Sequence, residues 1–132
     1  MKRTELPRAE ALCARYLDKN RPVLAAVSGG ADSMCLLYFL REQGYDVSCA
    51  HFNHQLRGAE AARDENFVRA WCEKEGIPFY PGTGDVRAHA RATGKTEEEA
   101  GRDLRYAFLR ETAQMLGAQI ALAHHLDDNA ET

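Results

Sequence analysis

The chain has 132 residues, 45% apolar and 28% charged, with a formal net charge of −3. This length supports one domain with a real core but not two, and the composition is that of a soluble globular protein. The acidic balance argues against a generally basic nucleic-acid binder, though not against a local basic patch, and no apolar run approaches the roughly 20 residues that span a bilayer.

The start, Met1-Lys2-Arg3-Thr4-Glu5, is basic but lacks the apolar stretch of a signal peptide. Residues 5 to 19 predict an amphipathic helix with Leu6, Ala9, Leu12, Cys13 and Tyr16 on one face. Val23 to Val27 reads as a buried strand, followed by Ser28-Gly29-Gly30-Ala31-Asp32-Ser33 and a helix from about Asp32 to Gln43 that Gly44 stops. A second strand covers Val47 to Phe52, and a polar loop runs from Asn53 to Gly58. The next helix runs from about Ala59 to Glu75, with Phe67, Val68, Trp71 and Cys72 facing inward. Ile77 to Tyr80 is a short third strand, its Pro78 suited to a sheet edge, and Pro81 to Gly84 is a loop. A short helix covers about Val86 to Ala92, and Thr96 caps a longer one, Glu97 to Leu116, with Glu99 as capping-box partner. Gln119 to Ala123 is a fourth strand, and Asp127 to Thr132 opens a further helix. The four cysteines, Cys13, Cys35, Cys49 and Cys72, form no C-x-x-C pair. Three lie in apolar patterns, so reduced, buried thiols in a cytoplasmic protein are expected rather than a zinc or redox centre.

Strands alternating with helices argue for an α/β fold, a doubly wound parallel sheet with helices on both faces. A ligand is expected at the carboxyl edge where strand order reverses. If strands one and four are neighbours, the Ser-Gly-Gly loop meets the segment from His124 to Asp128 there. The chain ends as a helix opens, so residues 1–132 are expected to be the N-terminal part of a catalytic domain, truncated before its last strand. The sheet edge so exposed favours aggregation or a homodimer.

The loop at residues 28–33 carries the most chemistry. A glycine pair lets the backbone turn tightly and approach a ligand closely. The helix beyond it offers free N–H groups and a positive dipole end, which is an anion site. Ser28 and Ser33 add hydroxyl donors. Asp32 has no place beside bare phosphate unless a Mg²⁺ ion bridges the two. An ordinary capped turn needs one such residue and not the whole string. Neither a Walker loop nor a dinucleotide fingerprint occurs. The string resembles the Ser-Gly-Gly-x-Asp-Ser loop of the PP-loop family, the N-type ATP pyrophosphatases. That resemblance implies an adenine nucleotide α-hydrolase-like fold and cleavage of ATP to AMP and pyrophosphate, with Ser28, Gly29, Gly30, Ala31, Asp32 and Ser33 around the phosphates.

Three further segments carry polar groups. His51-Phe52-Asn53-His54-Gln55-Leu56-Arg57-Gly58 follows strand two, at the carboxyl edge. Its histidines suit a base, a phosphate or, by spacing alone, a metal, although polar filler is the commoner reason for such a pair. On the long helix, Glu98 and Arg102 are four apart, as in a solvated face with ion pairs, while Arg102 or Arg105 aimed at phosphate is an equal reading. His124-His125-Leu126-Asp127-Asp128 joins imidazoles to carboxylates at a strand end, suited to share Mg²⁺ with Asp32 or to move a proton. A helix start with aspartate caps is the plainer reading.

With Arg63-Asp64-Glu65-Asn66-Phe67-Val68 and Arg105-Tyr106, these segments are similar to the bacterial tRNA(Ile)-lysidine synthetases from about residue 20 to the end. One departure is Gly101, where that family usually has alanine. The resemblance implies that ATP adenylates the wobble cytidine of an isoleucine tRNA with a CAU anticodon, and that free L-lysine then displaces AMP to give lysidine. It further implies Asp32, Arg105, His124 and Asp128 as catalytic residues, with Arg102 second to Arg105, His51 beside the adenosine or the tRNA, and Mg²⁺ on Asp32 and Asp127. Another PP-loop enzyme, a tRNA thiolation enzyme or an amide-forming synthetase, is the first alternative, although the cysteine pairs common in thiolation enzymes are missing. A nucleotide-binding module without catalysis is the second; the carboxylates argue against it.

Overall fold

Four parallel strands form one sheet in the computed structural model, which describes residues 17–54 and 59–123. The elements are β1 (Val23–Ala26), α1 (Ala31–Glu42), β2 (Val47–Asn53), α2 (Ala59–Glu75), β3 (Phe79–Thr83), α3 (Val86–Thr93), α4 (Glu97–Leu116) and β4 (Gln119–Leu122). The expected N-terminal helix lies mostly outside the described residues, as does the segment from His124 to Thr132.

The strand order is β3-β2-β1-β4. β1 pairs with β2 from Val23↔Val47 to Ala26↔Ala50 and with β4 from Val23↔Gln119 to Ala26↔Leu122. The chain therefore steps one way from β1 to β3. It then returns through α3 and α4 to the far side of β1, so that the order reverses between β1 and β4. Alternation along β1 feeds two cores. Val23, Ala25 and Val27 pack with Leu37 and Leu40 of α1 and Val68 and Cys72 of α2. Leu24 packs on the opposite face with Ala50 and with Leu109 and Ala113 of α4. Helices on both faces make β1 a nearly continuous apolar run, as parallel sheets require.

One facing and one strand depart most from the sequence reading. Phe67 does not face inward: it is 56% exposed, while Val68 and Cys72 are fully buried. Four residues apart, those two define the stripe of α2, and Phe67 lies about a hundred degrees round the helix from Val68. β3 begins two residues later than expected and continues through Pro81 and Gly82, which read as loop. β3 is an edge strand, where a proline nitrogen facing away from the sheet loses no hydrogen bond. Gly82 is needed for space, because a Cβ there would stand 2.6 Å from the Phe108 ring of α4. The Thr96–Glu99 capping box forms as the spacing predicts. Among the described residues no helix is long and apolar enough to cross a membrane.

Cys49 of β2 and Cys72 of α2 are fully buried and not in disulfides. A hydrogen bond with the Cys72 thiol, and then burial, push the Cys49 thiol far above its ordinary range. The same hydrogen bond holds the Cys72 thiol below its ordinary range, so it is complete burial that should keep both from reacting in the native protein. Brief treatment with iodoacetamide followed by peptide mass mapping should leave Cys49 and Cys72 unmodified, and urea should expose both. Alkylation of either before unfolding would show that this core is open.

Candidate functional site

The site begins where β1 ends. Val27 N–H donates to the Ala50 carbonyl at 2.8 Å, and the Val27 carbonyl lies 2.8 Å from Nδ1 of His51 on β2. A carbonyl only accepts, so Nδ1 carries a proton and donates it to this bond. His51 is 4% exposed, so it clamps the end of β1 from inside the protein.

The chain then turns. Gly29 has φ +98°, which L side chains rarely adopt, and a Cβ there would lie 3.4 Å from the Asp64 side chain. The two serines hold the turn from within. The Ser33 hydroxyl accepts from Ser28 N–H at 3.1 Å and donates to the Gly30 carbonyl at 3.1 Å. It also sits 3.1 Å from the Ser28 hydroxyl. With the Ser33 proton on Gly30, Ser28 is the donor of that pair, and its oxygen accepts from Gly30 N–H at 3.2 Å. The hydroxyls expected as phosphate donors thus shape the loop first.

Gly30 is the N-cap of α1 and offers no side-chain cap. α3 and α4 are capped by Asp85 and Thr96. The first-turn N–H groups of α1 have no acceptor within the helix, and no side chain replaces it. Such a helix start suits an anion.

A cavity of about 420 Å³ opens against this turn, lined by Ser28, Ser33, His51, His54, Asp64 and Arg105 over an apolar floor that includes Ala26, Ala50, Leu109 and Leu122. It lies at the carboxyl ends of β1, β2 and β4, at the point of strand reversal, as expected for a doubly wound sheet. Its size is that of small-molecule sites, roughly 300 to 1,000 Å³. Ala123, just past β4, lines it.

Arg105 reaches the cavity from α4, its guanidinium 5.1 Å from the centre of the Tyr106 ring. Its Nε is buried with no hydrogen-bond partner among the described residues. A buried donor of a charged group without an acceptor calls for an anionic ligand. Arg102 goes the other way: exposed, it lies 4.0 Å from Glu98, so the solvated-face reading holds for it. Asp32 occupies the first turn of α1, exposed, and is not among the cavity-lining residues. No cluster of three metal-ligating side chains occurs among the described residues. His124, Asp127 and Asp128 lie outside them.

Asp64 is a cavity residue that sequence reasoning missed as a site residue. Its signal was there in the helical period. It stands one turn before Val68 and two before Cys72, a carboxylate in line with a buried stripe.

The PP-loop domain family matches residues 3–132. The chain is 44% identical over 119 residues to the tRNA(Ile)-lysidine synthase of Parabacteroides distasonis, covering 89% of this chain and 27% of that protein. The corresponding figures are 40% over 121 residues, 88% and 26%, for the tRNA(Ile)-lysidine synthase of Clostridium acetobutylicum. For that of Thermotoga maritima they are 43% over 121 residues, 88% and 29%. The chain thus spans under a third of the length of these relatives. Among solved structures, the NH3-dependent NAD synthetase of Campylobacter jejuni, in complex with nitrate, superposes with a TM-score of 0.67 at 12% identity, over 91% of this chain and 56% of that one. That likeness is one of fold.

Replacing His51 by leucine keeps most of the volume but removes the donor, stranding the Val27 carbonyl. His51→Leu should cost about 1–3 kcal/mol of stability, measured by urea unfolding. An unchanged midpoint would mean that the clamp carries no weight.

Proposed function

The chain belongs to the PP-loop domain family, and on that premise we propose that its cavity binds ATP and that the full-length gene product makes lysidine. In this reading lysine is ligated to the wobble cytidine of an isoleucine tRNA with a CAU anticodon, in the cytoplasm. The observation that carries it is convergence. Ser28, Ser33, His51 and Arg105 come from three separate segments of the chain and line one cavity at the strand-reversal point. The relatives at 40% to 44% identity, each named tRNA(Ile)-lysidine synthase, support the choice of substrate.

The residues divide the work. The uncapped N–H groups of α1 and the close-approach backbone at Gly29 take the phosphates. The orphaned Arg105 Nε supplies a charged donor where negative charge grows as the cytidine carbonyl attacks the α-phosphate and pyrophosphate departs. Lysine must lose a proton before its ε-amine attacks the activated base and AMP leaves, and His124 or Asp128 would accept that proton. The exposed carboxylate of Asp32, at the start of α1, fits a cation beside phosphate. With Asp127 it would hold Mg²⁺, whose charge offsets that of the triphosphate.

Incubating the full-length protein with ATP, Mg²⁺, radiolabelled lysine and unmodified tRNA bearing a CAU anticodon should label the RNA. The label should require both ATP and the wobble cytidine. Pyrophosphate release without labelling, with another acceptor, would move the chemistry to thiolation or amide formation. Arg105→Ala should lower ATP–pyrophosphate exchange by about 100-fold with the unfolding temperature unchanged. Asp32→Asn should do the same, and full exchange in that variant would remove the metal assignment.

A further inference from the structure

We propose that Asp64 is a cation-holding residue of the nucleotide cavity: its carboxylate binds the hydrated divalent ion that accompanies the polyphosphate at the Gly29–Gly30 turn. The proposal rests on reading the cavity as an ATP site, and it adds a third carboxylate to Asp32 and Asp127.

Asp64 is the one carboxylate among the described residues that line the cavity. Asp32 is exposed in the first turn of α1 and lies outside that lining. Asp64 reaches the turn from α2. A Cβ on Gly29 would lie 3.4 Å from Asp64 Cβ and 3.7 Å from its carboxyl carbon, Cγ. The same Cβ would lie 3.6 Å from Val68 Cγ2. Val68, one helical turn on, is fully buried in the core that α1 and α2 share. The backbone beneath the Asp64 carboxylate is thus fixed against the turn.

The cavity has two unlike ends. Its apolar residues Ala26, Ala50, Leu109 and Leu122 all belong to the core on the α4 side of the sheet. Asp64 sits on α2, which packs on the opposite side. The turn at the end of β1 joins the two. A nucleotide is apolar at its base and anionic at its phosphates. The base takes the apolar surface, and the phosphates take the uncapped N–H groups of α1. That order puts the polyphosphate, rather than the base, beside Asp64. A carboxylate and a phosphate held together repel one another. A divalent cation between them reverses the sign, and Mg²⁺, which keeps several of its waters, binds carboxylate and phosphate oxygens together.

The test titrates the full-length protein with ATP by calorimetry, once in Mg²⁺ and once in EDTA. Asp64 is exposed and asparagine has its shape, so Asp64→Asn should unfold at the wild-type temperature. In Mg²⁺ this variant should bind ATP about tenfold more weakly. In EDTA it should bind ATP about threefold more tightly, because a negative charge beside the phosphates is gone. Mn²⁺, followed by electron paramagnetic resonance, should bind the variant's ATP complex about tenfold more weakly. A carboxylate that held the ribose, or only braced the turn, would weaken binding in both media. Equal losses in the two, or no change in either, would overturn the proposal. If the wild-type protein binds no ATP, the ATP reading falls by itself, and inorganic pyrophosphate then decides the cation seat. Mg²⁺-dependent pyrophosphate binding that Asp64→Asn weakens supports the seat; binding indifferent to Asp64, or none, overturns it.

Discussion

A buried hydrogen bond from His51 to the Val27 carbonyl ties the end of β1 to β2, and the ligand-facing turn starts from that tie. In a doubly wound sheet the carboxyl ends of the strands are where backbone groups run out of ladder partners. Here an imidazole takes the last one on β1. Ser33 then binds backbone on both sides of the Gly29–Gly30 pair and holds the turn from below. The loop is thus shaped before any ligand arrives, and the N–H groups of α1 that no side chain caps are left for one.

The second constraint is the return crossover. Because β4 sits on the far side of β1, the α3–α4 segment has to cross the sheet, and α4 does so over the ends of β2 and β3. That close crossing explains glycine at three places. Gly82 and Gly84 leave room for Phe108, Leu104 and Phe52, and Gly101 leaves room for His54. The same approach brings Arg105 to the cavity while Arg102, nearly a full turn earlier, stays in solvent with Glu98. A helix that carries a charged donor into a half-buried site has to pack tightly around it, since water would otherwise screen the charge.

Much of the fold was legible in the chain. Helix α2, the Thr96 cap and the parallel doubly wound sheet follow from periodicity, capping chemistry and the handedness of crossovers, all local or nearly local rules. That β4 lands beside β1 was only a condition on the sequence reading, and the pairing of the two strands meets it. The departures sit where a neighbour overrides local preference. Pro81 and Gly82 read as a turn, yet an open sheet edge accepts the proline and the Phe108 ring demands the glycine. Phe67 reads as part of the inward face of its helix, yet it falls outside the stripe that Val68 and Cys72 define.

The sequence by itself determined the family, because a Ser-Gly-Gly-Ala-Asp-Ser string between an apolar strand and a helix is a statement about backbone geometry and charge that needs no partner to read. It also determined that two arginines on α4 and two histidines at the end of β2 were candidates. Which of them serve the cavity was decided only by tertiary structure. Arg102 and Arg105 are three positions apart and identical in type. Only the direction of approach of α4 separates them, turning one to water and leaving the other with a buried Nε that has no acceptor among the described residues. The Gly101–His54 contact is of the same kind: it joins positions distant along the chain by a distance, and distance between elements is the quantity that a linear pattern does not contain.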